Sequence, residues 1–158
     1  MTWVHSSSER SVVLRADLER VRAFLGRIVE CGRLMPGVVD LAEVQPGVFH
    51  YQLEEFSDGA VRFTPDYETR FDTADPGNLR WEPHGEHNFR SWGVFHTEPG
   101  AVDGETVLEI STRSEADLAI DPILIPLVEP FARLSTEQVT QGFLARIQER
   151  LEAGSGTG

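Results

Sequence analysis

Between residues 38 and 116 the hydrophobic pattern of this chain repeats every two positions, and five clusters of turn-forming residues cut it into six short segments. The cuts fall at Pro46-Gly47, Ser57-Asp58-Gly59, Asp75-Pro76-Gly77, Gly85-Glu86 and the stretch from Pro99-Gly100 to Asp103-Gly104. Each supplies the glycine, proline or Asx chemistry that reverses a chain within a few residues. Six strands joined so closely (38–45, 48–56, 61–72, 79–83, 88–98 and 105–116) are expected to pair as an antiparallel meander, because parallel neighbours need a crossover of a dozen residues or more.

Helical periods flank the meander. Residues 9–16 read as a short strand, and Asp17 can then cap a helix in which Leu18, Val21, Phe24, Leu25, Ile28 and Val29 share one face. Gly26 and Gly32 weaken that helix and Pro36-Gly37 ends it, so two short helices with a break near Gly32 are expected. At the far end Asp121-Pro122 opens a helical segment whose start Pro126 and Pro130 should make irregular. Its regular part is expected over 135–152, with Ser135 and Gln138 as a capping box and Gly154 as its stop. Val139, Phe143, Ile147 and Leu151 form its apolar stripe. The sheet has one face to cover, and the only elements long enough to cover it are the two helical segments, so a helix must lie across the sheet. The expected fold is therefore α+β: one curved antiparallel sheet of about seven strands around the last helix, in one domain over 1–153 with a flexible tail at 154–158. A bent sheet does not meet a helix everywhere, and the gap between them is where a small ligand would go.

Composition narrows the function. The formal charge of −12 repels phosphate backbones and anionic headgroups, so no nucleic-acid partner is expected. All fourteen basic residues are arginines, which removes Schiff-base chemistry, a P-loop lysine and a lysine general base. Cys31 is the only cysteine; an internal disulfide and a thiolate zinc site are excluded, and a cytoplasmic home is expected. No stretch approaches the roughly 18 apolar residues of a membrane span, so membrane insertion is not expected either.

Three segments carry a resemblance: Val13-Leu14-Arg15-Ala16-Asp17-Leu18-Glu19-Arg20-Val21 from strand to helix, Leu34-Met35-Pro36-Gly37-Val38 at the helix exit, and Gly104-Glu105-Thr106-Val107-Leu108 opening the last strand. With the order of elements, they make the chain resemble the helix-grip fold of the START-related (SRPBCC, polyketide cyclase-like) superfamily, and within it the carbon monoxide dehydrogenase G branch. The resemblance implies a pocket for a hydrophobic ligand and carries no catalytic residue with it.

Strand parity nominates the lining. Phe49, Tyr51 and Leu53 share one side of strand 48–56, and Phe63, Pro65, Tyr67, Thr69 and Phe71 share one side of 61–72. In 88–98 either Phe89, Ser91, Gly93 and Phe95 point inward or Trp92 and Val94 do; the first set leaves room beside Ser91 and Gly93. Gly142, a glycine inside a helix, is expected to mark a close approach at the cavity. The expected site is thus Phe49, Tyr51, Phe63, Tyr67, Phe71, Phe95 and Gly142, the two phenols acting as polar handles. His84, Glu86, His87 and His96 lack a metal-binding frame, no serine sits in a nucleophile elbow, and Cys31 has no histidine near it in sequence, so neither metal, cofactor nor catalytic residue is assigned. The leading function is binding or transport of a lipid-, polyketide- or quinone-like molecule. The alternative is an aromatase/cyclase- or dehydratase-like enzyme using Tyr51, Tyr67 or an inward Arg90 or Arg113 to polarise a carbonyl. Association into a homodimer is left open.

Overall fold

The computed structural model describes residues 2–58 and 61–155. The chain begins with a long strand, β1 (Thr2–Leu14), followed by helices α1 (Leu18–Gly26) and α2 (Ile28–Gly32). Strands β2 (Val38–Gln45), β3 (Val48–Leu53), β4 (Phe56–Asp58), β5 (Val61–Phe63), β6 (Asp66–Asp72), β7 (Asn78–His84), β8 (Phe89–Pro99) and β9 (Thr106–Leu118) come next. A 3₁₀ turn at Pro122–Leu124 leads into α3 (Ile125–Ser155). Seven strands form one antiparallel sheet in the order β1-β9-β8-β7-β6-β3-β2. β1 pairs along its whole length with β9, which ties the start of the chain to the end of the meander. This is the α+β helix-grip arrangement that the order of elements called for.

Local chemistry explains where the boundaries differ from expectation. Asp17 does cap α1, its Oδ1 accepting the Arg20 N–H at 2.9 Å. The helical break, however, falls at Arg27 and not near Gly32. Gly32 is the last residue of α2, and Leu41 leaves no room there for a side chain: an added Cβ would lie 2.5 Å from Leu41 Cδ2. The strand expected over 61–72 is interrupted at Thr64-Pro65, where proline has no N–H to give a ladder. Asn88 clamps that interruption, its Oδ1 accepting the Asp66 N–H (3.0 Å) and its Nδ2 donating to Thr64 O (2.8 Å). Consequently β4 and β5 pair only with each other, as a separate two-stranded ribbon, and β3 pairs directly with β6.

The regular part of the last helix begins at Ile125, ten residues before the Ser135 expected. Asp121 Oδ1 accepts the Ile123 N–H at 3.0 Å and starts the turn, and Pro126 then falls where an N–H would have no partner. Pro130 forfeits one bond inside the helix without ending it. Ser135 is therefore an interior residue and caps nothing. Nor does Gly154 stop the helix, which runs to Ser155; the tail expected at 154–158 otherwise lies outside the described residues.

Two adjoining clusters make the core. Phe143, Leu144, Ile147 and Leu151 of α3 pack with Leu14, Val21, Phe24, Leu108 and Ile110. Leu41, Phe49, Tyr51 and Tyr67 gather around Ile28. Polar ties hold α3 in place: Arg146 Nη1 donates to Leu34 O at 3.2 Å, Arg150 pairs with Glu30, and Glu152 Oε1 accepts the Arg15 N–H at 3.0 Å.

Candidate functional site

The two halves of α3 present different residues inward, and this difference makes a cavity. From Phe143 onward the inner face is bulky and seals against the sheet. Before it come Ala132, Ser135, Thr136, Val139 and Thr140, too short to reach the opposite wall. The space left open has a volume of about 640 Å³. Leu124, Leu127 and Phe131 of the helix start and Phe56 of the ribbon line it while remaining exposed, so it opens to solvent between ribbon and helix.

Of the seven residues expected in the site, Tyr51, Phe63, Tyr67, Phe71 and Phe95 lie on the cavity wall. Phe49 and Gly142 do not. Phe49 is buried one layer behind, edge-on to Phe71 at 5.4 Å between centroids. Gly142 faces the chain leaving α2, where an added Cβ would lie 2.9 Å from Pro36 Cγ. The glycine thus permits close packing and leaves no ligand space.

On β8 the odd-numbered side faces inward: Phe89, Ser91 and Phe95 line the cavity. Gly93 does not contribute room, because the Trp81 indole fills it, Cζ2 lying 2.0 Å from where a Cβ would be. That indole N–H donates to Ser91 Oγ at 3.0 Å. Arg90 and Arg113 stack over Trp3 (3.9 Å) and Trp92 (4.2 Å) and are not among the described residues of the cavity wall. Glu68 lies 4.0 Å from both His84 and His87, while His96 bonds Asn78 at 2.8 Å, so the four-residue group does not converge.

Some of the polar atoms inside are bonded to one another, and others are poorly partnered. Tyr51 and Tyr67 stack face to face, 4.9 Å apart and 4° from parallel, and Tyr67 also meets Phe89 at 4.7 Å. They are 7% and 4% exposed. Among the described residues no side chain or backbone group hydrogen-bonds the Tyr67 phenol. The buried Thr69 hydroxyl makes no bond of normal geometry, although it lies near enough to the Tyr51 phenol to favour its ionised form slightly. Burial outweighs that effect and pushes both phenols above their ordinary range, so they stay protonated donors. Thr112 Oγ1, also on the wall, has no hydrogen-bond partner among the described residues. Ser6, Ser114 and Thr136 form a short hydroxyl chain of 2.9 and 2.6 Å. Burial likewise pushes the Cys31 thiol up to about 12, so it is no nucleophile at neutral pH.

Sequence reasoning missed Trp81 and the whole helix-start wall. Leu124, Leu127, Val128 and Phe131 recur at helical spacing, a signal masked by expecting Pro126 and Pro130 to make this stretch irregular.

No protein-family model matches the sequence, and no curated protein sequence does either. Solved structures do match in shape. A START superfamily protein from Mycobacterium smegmatis aligns with a TM-score of 0.67 at 14% identity, over 93% of this chain and 97% of that one. A protein from Thermus thermophilus aligns with a TM-score of 0.67 at 18% identity, over 96% and 99%. Norcoclaurine synthase from Thalictrum flavum aligns with a TM-score of 0.65 at 11% identity, over 98% and 99%. The chain has the fold of the START superfamily. The narrower likeness to the carbon monoxide dehydrogenase G branch rests on the Met35-Pro36-Gly37-Val38 segment alone. Among the described residues no helix is long and apolar enough to cross a membrane.

Proposed function

We propose that this chain binds and carries a small, mainly hydrophobic molecule, lipid-, polyketide- or quinone-like, in the cavity between sheet and helix. The observation that carries the reading is the pair of buried, poorly partnered phenols on an otherwise aromatic and aliphatic wall. Burying a hydroxyl without a partner costs about 1–3 kcal/mol, and a ligand carbonyl or hydroxyl would offset that cost. Tyr51, Phe63, Tyr67, Phe71 and Phe95 would contact the ligand, with Phe49 and Gly142 supporting the wall from behind. A single cysteine and a strongly acidic surface support a cytoplasmic carrier. The enzymatic alternative has less support. Arg90 and Arg113 lie off the cavity wall, and protonated phenols can orient a carbonyl but not abstract a proton.

The test combines native mass spectrometry of protein from its own host with titration of the neutral dye N-phenylnaphthylamine. A co-purified small molecule or saturable dye binding is expected, and Ala132→Trp, which intrudes on the cavity without filling it, should weaken dye binding while circular dichroism stays unchanged. Dye binding that Ala132→Trp leaves unchanged, or a protein that binds nothing, would overturn the reading.

A further inference from the structure

The cavity wall is electrically one-sided. Among its described residues there is no arginine and no histidine, and its only carboxylates are Glu54 and Glu55. Both are exposed and neither makes a hydrogen bond or ion pair through its side chain with a described residue. Glu54 is nevertheless held in place: its N–H donates to Gly37 O at 2.8 Å, and its carboxylate lies across Gly37, with Oε1 3.8 Å from where a Cβ would be. Gly37 itself belongs to the wall, so this carboxylate sits where α2 exits onto the rim. Independently, the Tyr67 phenol, 4% exposed and unpartnered among the described residues, lies on the same cavity wall and can bond a polar ligand atom there.

An amphiphile with a carboxylate or phosphate head would place its charge beside two like charges, with no cation on the wall to receive it. A protonated amine meets the opposite situation, and the aromatic rings behind the rim add a favourable quadrupole. The overall charge of −12 draws the same sign of ligand from a distance. We propose that the site selects by charge, taking an aromatic or aliphatic body inside with an amine head at Glu54 and Glu55, and rejecting anionic amphiphiles. This inference rests on the carrier reading above.

Three probes sharing one apolar body test it: pyrenylmethylamine, pyrenylmethanol and pyrene carboxylate, titrated against the full chain by fluorescence. The amine is expected to bind about tenfold more tightly than the carboxylate at low ionic strength, the gap narrowing near 0.5 M salt. In Glu54→Gln/Glu55→Gln the amine's advantage over the alcohol should fall by about fivefold, with the affinity for the alcohol unchanged. Glu19→Gln/Glu149→Gln removes the same charge from exposed positions away from the cavity wall and should leave the advantage intact. Equal binding of all three probes, tightest binding of the carboxylate, or an equal loss in the Glu19/Glu149 variant would overturn charge selection at the rim while leaving the carrier reading standing. If no probe binds at all, the carrier reading fails, and this inference with it.

Discussion

Replacing Tyr67 by phenylalanine removes one oxygen and leaves the ring contacts alone. The stack on Tyr51 at 4.9 Å and the contact with Phe89 at 4.7 Å need only the ring. In most cores such a substitution destabilises, because a hydrogen bond is lost. Here the phenol is 4% exposed and has no partner among the described residues, while its oxygen meets the cavity space, so no hydrogen bond to a described residue is lost and what goes is the part of the desolvation penalty that cavity water does not offset. That penalty is about 1–3 kcal/mol for a hydroxyl, and water entering the cavity would return part of it. Tyr67→Phe should therefore stabilise the ligand-free protein by about 1 kcal/mol, or roughly 2–4 °C in midpoint for a chain of this size. Thr106→Val provides the opposite case. Its fully buried Oγ1 donates to Ala16 O at 2.8 Å, so removing it leaves a buried carbonyl unpaired and should cost about 1–3 kcal/mol. Urea melts of the two variants, with slopes compared to confirm two-state behaviour, measure both signs. Binding should move the other way from stability. Tyr67→Phe should weaken anthraquinone, which offers carbonyl acceptors, and leave anthracene unaffected. A Tyr67→Phe variant destabilised as much as Thr106→Val would show that the phenol has a partner and would refute the reasoning.

Phe143→Ala should cost about 3–5 kcal/mol in urea melts, since Phe143 is buried in the core cluster against Phe95, whereas exposed Glu149→Ala should change stability by less than about 0.5 kcal/mol. Gly26→Ala, with nothing within 4 Å of the new methyl, should stabilise by about 0.5–1 kcal/mol, but Gly142→Ala, pressed against Pro36 at 2.9 Å, should destabilise despite the same gain in helix propensity. Cys31 should react with a thiol reagent at pH 8 about a thousandfold faster in urea than in the folded state, because its folded thiol is pushed up from 9.0 to about 12. The same shift favours the protonated thiol on folding, so its stabilising effect holds below pH 9 and is lost as pH rises through about 12; Cys31→Ala should lose less stability over that window.

Much of this architecture is local chemistry and could be read directly. Period-two alternation with glycine turns specifies a meander, Asp17 specifies a helix start, and the parity of Tyr51, Tyr67 and Phe71 puts them on one face. These depend on neighbours two to four residues away, and such neighbours are visible in a sequence. What the tertiary structure alone decided depends on partners far along the chain. Gly32 looks like a break and, while ending α2, is also the bed for Leu41, Gly142 looks like ligand space and is the seat of Pro36, and Gly93 is filled by Trp81. A glycine records only that a side chain is missing, and which distant atom takes the space is settled by packing. The same holds for the phenols. Their position was legible, but that no described residue hydrogen-bonds the Tyr67 phenol, and that no arginine or histidine is among the described residues of the cavity wall with Glu54 and Glu55, are properties of the whole set of surrounding side chains.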